Sequence, residues 1–335
     1  MTANQRVVSF GEVMLRLSPP GFERLFQSPA LQTYFGGSEA NTAVSLAHLG
    51  IASDFVTVVP DNAVGEAVLG TLRREGVGVR DVQKGGTRLG VYFVEGGADI
   101  RAMRVVYDRA GSAFAQMGAD AVDWDAVLEG ATWFHVSGIS LALGSGPAES
   151  VLRAATAARA RGIPVSLDLN YRPALWTGRD PRELVRPVAA LCDTIIGNPG
   201  AVKAMLGVAT PAAAPEPPEA LRATARALGE QFGCRRVALT RREVISSSEH
   251  GWRAVLYDAS GDVFAESRRY QVRVVDRVGG GDSFNAGLIY GLLNGYDDQR
   301  ALDFATAASA LKLTIPGDFN RVTADEVHRL LEPAR

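Results

Sequence analysis

The feature that most constrains this chain is an alternation of short apolar runs with longer amphipathic or alanine-rich segments. The runs fall at 7–10, 55–59, 132–136, 164–167, 194–196 and 237–240. The helical patterns between them fall at 39–49, 63–75, 147–160, 181–191 and 218–231. Runs this short, apolar on both faces, read as strands covered from both sides. Strand and helix alternating over 335 residues predict an α/β fold, a doubly wound and mostly parallel sheet. Such sheets gather ligands beyond the carboxyl ends of their strands. One region breaks the rhythm. Segments 88–94 and 100–107 alternate as strands around a turn at 95–99, with no crossover helix. With short strands at 13–17 and 32–35 they predict a small β-rich lid, drawn from about 13–35 and 88–108, able to exclude water from a reaction. The Pro/Ala-rich stretch 209–218 reads as a surface loop, so the chain is taken as one domain.

Composition narrows the partners. The net charge is −2 with acids and bases mixed along the chain, which supplies no basic stripe for nucleic acid and no polybasic block for a membrane. Small molecules, or copies of the chain in a homo-oligomer, are the expected partners. Cys192 and Cys234 form no CxxC pair, so neither a zinc site nor a disulfide framework is expected. The first residues lack a signal-peptide pattern, and no apolar run reaches the ~20 residues of a membrane span. A cytoplasmic protein is expected.

The most informative stretch is VDRVGGGDSFNAGLIY, 275–290. Gly279, Gly280 and Gly281 let a ligand approach bare backbone. Their N–H groups fall at a helix start, where the dipole favours an anion. That suits a phosphoryl group in transfer, and Asp282 directly behind it can accept the proton of an attacking hydroxyl. The same residues also suit a tight turn and a helix cap. The lysines are Lys84, Lys203 and Lys312, and none stands in a GK[ST] loop. A Walker A site is therefore excluded, and no N-terminal GxGxxG supports a nicotinamide enzyme. His135, on a buried strand pattern, reads as a core histidine.

DRVGGGDSFNAG resembles the C-terminal signature of the PfkB (ribokinase-like) carbohydrate kinases, and GGSEANTA, 36–43, resembles their N-terminal signature GGxxxNxA. The likeness runs from about 7 to 331. It implies a ribokinase-like fold and ATP-dependent sugar phosphorylation with Mg²⁺. Asp282 would be the base, Gly279, Gly280 and Gly281 would stabilise the charge, and Gly36, Gly37 and Asn41 would lie near the sugar. RVVYDRAGSA, DLNYRPALW and ALKLTIPGDFN resemble the 2-keto-3-deoxygluconate kinases within this family. On that resemblance Tyr92, Tyr107, Arg109, Arg172 and Asp318 would contact the substrate. Two arginines after strand-like segments suit a sugar acid, whose carboxylate a guanidinium binds bidentately.

The nucleotide would lie over 240–244 and 305–311, with Asn198, Thr240, Gly279, Gly281 and Ala308 near it. Many relatives have Asn-x-x-Glu where this chain has Asn198-Pro199-Gly200-Ala201. TRREVISSSEHGW also lacks their Gly-x-x-Gly, which implies a variant nucleotide pocket. A kinase for a neutral sugar such as fructose or ribose, and a sugar- or nucleotide-binding regulator without catalysis, are the alternatives.

Overall fold

Six parallel strands run through the centre of the molecule. In spatial order they are Arg236–Ser246, Thr194–Gly197, Val165–Asp168, Trp133–Ser137, Arg6–Phe10 and Ala52–Val56. The structure, a computed structural model, describes residues 5–209 and 218–332. The stretch 209–218, read as a surface loop, lies outside the described residues apart from its two ends. Side chains alternate across the strands. Val8, Phe10, Phe134 and Val136 enter one core, while Val7 and Trp133 enter another on the opposite face, as a pleated strand requires. Helices Ser145–Ala160, Arg182–Ala189, Pro199–Leu206 and Pro218–Phe232 pack with the first set. Helices Gly280–Leu293, Asp298–Lys312 and Ala324–Leu331 pack with the second. The doubly wound, mostly parallel sheet is therefore present.

Beyond Arg236–Ser246 the sheet turns antiparallel. Glu249–Asp258 pairs back on that strand, and Val263–Glu266 and Tyr270–Arg273 both pair with Glu249–Asp258. The stretch expected to be a nucleotide loop, TRREVISSSEHGW, belongs to this hairpin. Past Arg241 the strand leaves the core, with Val244 57% and Ile245 47% exposed. Its apolar alternation is lost there, so the pattern does not announce a strand.

A separate four-stranded sheet has the order Gln32–Gly36, Met14–Ser18, Gly90–Glu95, Arg104–Asp108, where the lid was expected. The connection in its hairpin is longer than the expected turn at 95–99. Ala98 and Arg101 form their own bridge, with Asp99 left-handed at φ 49°, and the second strand begins only at Arg104.

Two local choices set the site. Asn198 caps helix Pro199–Leu206, its Oδ1 accepting from Ala201 N at 3.0 Å, with Pro199 at the first helical position. Helix Gly280–Leu293 lies tightly on Asp298–Lys312, because a Cβ on Gly287 would stand 2.7 Å from Ala305 Cα. Both cysteines are buried and free, and no helix among the described residues is long and apolar enough to cross a membrane.

Candidate active site

A cavity of about 1100 Å³ opens between the carboxyl ends of the parallel strands and the small sheet. Asp168, Gly197 and Thr240 line it from the main sheet, Tyr92 and Tyr107 from the small one, and Gly279–Asp282 from the start of a helix. The turn before that helix needs glycine at its first position. Gly279 is left-handed at φ 83°, and a Cβ there would stand 2.1 Å from Asp318 O. Gly281 has open space where a Cβ would be, so this part of the turn presents bare backbone to the cavity.

Asp282 follows in the first helical turn, buried to 8% exposure. Its Oδ1 accepts from Ser38 Oγ at 2.9 Å and its Oδ2 from Asn41 Nδ2 at 2.7 Å. Both donors come from helix Ser38–His48, whose preceding Gly37 gives its N–H to Asn41 Oδ1 at 3.2 Å. The GGSEAN signature thus holds the carboxylate in a fixed direction. Burial raises the Asp282 pKa to about 7, against the hydrogen bond from Asn41 and helped by the charge of Asp168. A carboxylate that titrates near neutrality can take a proton and keep it. A second network stands beside it. Asp168 accepts from Asn285 Nδ2 at 2.8 Å and from Asn170 N at 3.0 Å, and Asn170 Nδ2 also donates to Ser38 Oγ at 2.7 Å.

At the small-sheet end, Asp318 is 2% exposed. It accepts from Tyr92 Oη and, at 2.7 Å, from Arg16 Nη1. Arg16 also reaches Asp276 at 2.7 Å, so one guanidinium ties the small sheet both to the segment entering the glycine turn and to Asp318. Tyr107 stacks on Tyr92, ring centroids 5.8 Å apart. Gly36 is absent from the cavity lining. A Cβ there would stand 2.2 Å from Asp318 Oδ2, so its bareness makes room for that carboxylate.

The arginines divide. Arg109, expected to grip a substrate carboxylate, lines the cavity but gives Nε and Nη2 to Glu12, the former at 2.8 Å. The pair is buried at 8% and 1% exposure, which largely cancels the charge of Arg109. Arg172 is exposed, lines the cavity and donates Nη1 to Tyr171 O at 3.2 Å. Arg242 and Arg277 line the same cavity, and their pKa values are lowered by burial and by mutual repulsion with Arg172. None of these three forms an ion pair among the described residues. That arrangement leaves three cationic groups to receive a polyanion.

Asn198 and Thr240 both line the cavity. The Asn198 carbonyl oxygen accepts one hydrogen bond as the helix cap, and Thr240, midway along its strand rather than at its end, donates to Gly197 O at 3.2 Å. Ala308 does not reach the cavity. It is fully buried against Gly287 and Ser283 of the neighbouring helix, where a small side chain lets two helices meet. Ala201 packs in the core. His135 is wholly buried, its ring Nδ1 2.8 Å from Ser166 Oγ and its pKa pushed down to about 3 by burial. Residues not foreseen are Ser38, Asp168, Asn170, Asn285, Arg16, Glu12, Arg242 and Arg277. Asn285 had a usable signal, because it stands three residues after Asp282 on the same helical face.

Residues 4–323 match the model of the pfkB family carbohydrate kinases. A Haloferax volcanii 2-dehydro-3-deoxygalactonokinase is 32% identical over 99% of this chain and 97% of its own. A Thermoproteus tenax 2-dehydro-3-deoxygluconokinase is 29% identical over 93% and 89%. The crystal structure of 2-dehydro-3-deoxygluconokinase from Thermotoga maritima superposes with a TM-score of 0.94 at 40% identity, covering 97% and 98% of the two chains. With the two signatures meeting at Asp282 in a ribokinase-like fold, this chain belongs to the pfkB family and is a carbohydrate kinase.

Proposed function

We propose that this enzyme phosphorylates the primary hydroxyl of 2-keto-3-deoxy-D-gluconate, giving the 6-phosphate, with ATP as donor. The observation that carries the reading is the Asp282 carboxylate. It is held by Ser38 and Asn41 beside the bare Gly279–Gly281 backbone and titrates near 7. Asp282 takes the proton as the sugar oxygen attacks the γ-phosphorus, and the bond from that phosphorus to the β–γ bridging oxygen breaks. The N–H groups of the glycine turn stabilise the charge that develops on the phosphoryl oxygens. Arg172, Arg242 and Arg277 receive the triphosphate and the sugar carboxylate. The small sheet acts as the lid, with Tyr92 and Asp318 facing the sugar hydroxyls.

Mg²⁺ fits this wall as a companion of the nucleotide. Asp168, Asp282 and Asp318 are already engaged by protein donors, and among the described residues no group of three potential ligands is preformed. A metal that keeps its waters and binds through phosphates needs no such cage. Asp168 and Asn198 are the oxygen-bearing side chains that would meet its waters. When bound, it would neutralise phosphate charge.

The substrate class is supported by the names of the Thermotoga and Thermoproteus relatives and by an arginine free of ion pairs in the cavity. The Haloferax relative is named for the galactonate epimer, which carries the same carboxylate, so it is the second reading. ADP release with ATP and Mg²⁺ should be measured on both keto acids, fructose and ribose. The keto-gluconate should give the highest kcat/KM. A higher value for the galactonate epimer would select the second reading, and a higher value for fructose or ribose would overturn the sugar-acid assignment.

A further inference from the structure

Lys312 ends the helix Asp298–Lys312 and its side chain is 0% exposed. A buried ammonium is costly unless its charge is used, and packing alone would be served by methionine or leucine. The lysine stem runs directly behind the glycine turn, where Cε lies 3.2 Å from the place a Cβ on Gly279 would take. Its Nζ donates to Ile315 O at 3.1 Å. The loop carrying that carbonyl is itself tied to the segment entering the turn. Val275 N donates to Leu313 O at 2.8 Å, and Gly317 N donates to Asp276 Oδ2 at 3.1 Å.

Burial lowers the Lys312 pKa, while Asp276, Asp318 and, more weakly, Asp282 hold its charge against that cost and Arg16 repels it. Arg16 is already paired with Asp276 and Asp318, at 2.7 Å each. Among the described residues, Asp282 is the carboxylate of this group without an ion pair, and Lys312 is its cation without one. We infer that Lys312 is an internal cation of the phosphoryl site, a positioning residue that clamps the 313–317 loop behind the Gly279–Asp282 turn and biases that turn toward anions. A fixed positive charge behind a row of N–H groups adds to the helix dipole. In a buried setting it is weakened little by solvent. It also favours the ionised form of Asp282 that accepts the proton.

The inference rests on the phosphoryl-transfer reading above. Lys312→Met keeps the length and removes the charge, Lys312→Arg keeps the charge, and Lys312→Ala leaves a space a small amine can enter. The account expects Lys312→Met to lose turnover by about tenfold or more, with KM for the sugar acid little changed and the melting temperature not lowered. Methylammonium should restore turnover to Lys312→Ala, while tetramethylammonium at equal ionic strength, too large for the site, should not. Should the Met variant fail to fold, the Ala rescue and an active Arg variant carry the test. Wild-type turnover in folded Lys312→Met, or an Ala variant indifferent to methylammonium, overturns the inference while the kinase reading stands. A wild-type enzyme that consumes no ATP with any sugar acid or sugar removes both.

Discussion

Two sets of arginines around the cavity treat positive charge in opposite ways. At the small-sheet end, Arg16 and Arg109 are buried and each is neutralised, by Asp276 and Asp318 in one case and Glu12 in the other. Elsewhere on the cavity wall Arg172, Arg242 and Arg277 repel one another and form no ion pair among the described residues, with Arg277 Nε lying 3.3 Å from Met103 Sδ of the small-sheet hairpin. A paired, buried arginine acts as a strut that fixes the direction of its carboxylate. An unpaired one is a vacancy for a ligand anion. Reading Arg109 and Arg172 alike did not foresee this distinction, since a residue type and its place after a strand do not reveal whether a buried acid is paired with it.

The sharpest way to break the comparison is to unpair a strut. Glu12→Gln strands a buried guanidinium and should destabilise the fold by ~3–5 kcal/mol, read from urea unfolding. A loss below ~1 kcal/mol would mean that Arg109 was never neutralised. The second effect is on pH. On the proposed mechanism Asp282 works in its ionised form, and burial raises its pKa to about 7, so the protonated form, which cannot take the proton, accumulates as pH falls through that value. The kcat/KM profile should be level above about pH 8 and drop about tenfold per unit below about pH 6. A level profile down to about pH 5 would mean that some other group takes the proton.

Smaller effects probe the unpaired arginines. Arg172→Ala should raise KM for a keto acid by about tenfold, within the ~1.5–3 kcal/mol of a charge-assisted hydrogen bond. It should leave the weak activity on neutral sugars nearly unchanged, and equal losses on both would remove Arg172 from carboxylate recognition. Arg242 is desolvated by the cavity wall yet keeps much of its side-chain surface in solvent, so Arg242→Gln should raise KM for ATP only several-fold, consistent with ~1 kcal/mol or less for a solvent-screened charge. A large collapse in that variant would show that Arg242 is a strut as well.

The sequence made the main sheet legible because its strands are buried on both faces and its helices carry apolar stripes. It made the small sheet legible because 88–107 alternates without a helix. The antiparallel extension was hidden where Arg242–Ile245 leaves the core and ordinary burial no longer imprints a pattern. At the candidate site, the glycine turn and Asp282 stood out because close backbone approach to an anion demands glycine. Asn41 was read as a residue near the sugar; it lines the cavity, and its bond to Asp282 was not foreseen. That bond joins residues 241 positions apart, and no local pattern encodes it. Ala308 was misplaced for a related reason. Small residues serve a flat ligand and a close helix equally well, and Gly287 on the neighbouring helix decides for the helix.

The most direct measurement is the turnover of Asp282→Asn, with ATP and sugar-acid binding followed separately by titration. The account predicts a fall in kcat of ~10² or more, with both ligands still bound and the melting transition intact. Turnover close to wild type in that variant would contradict it, because the proton of the attacking hydroxyl would then have another acceptor.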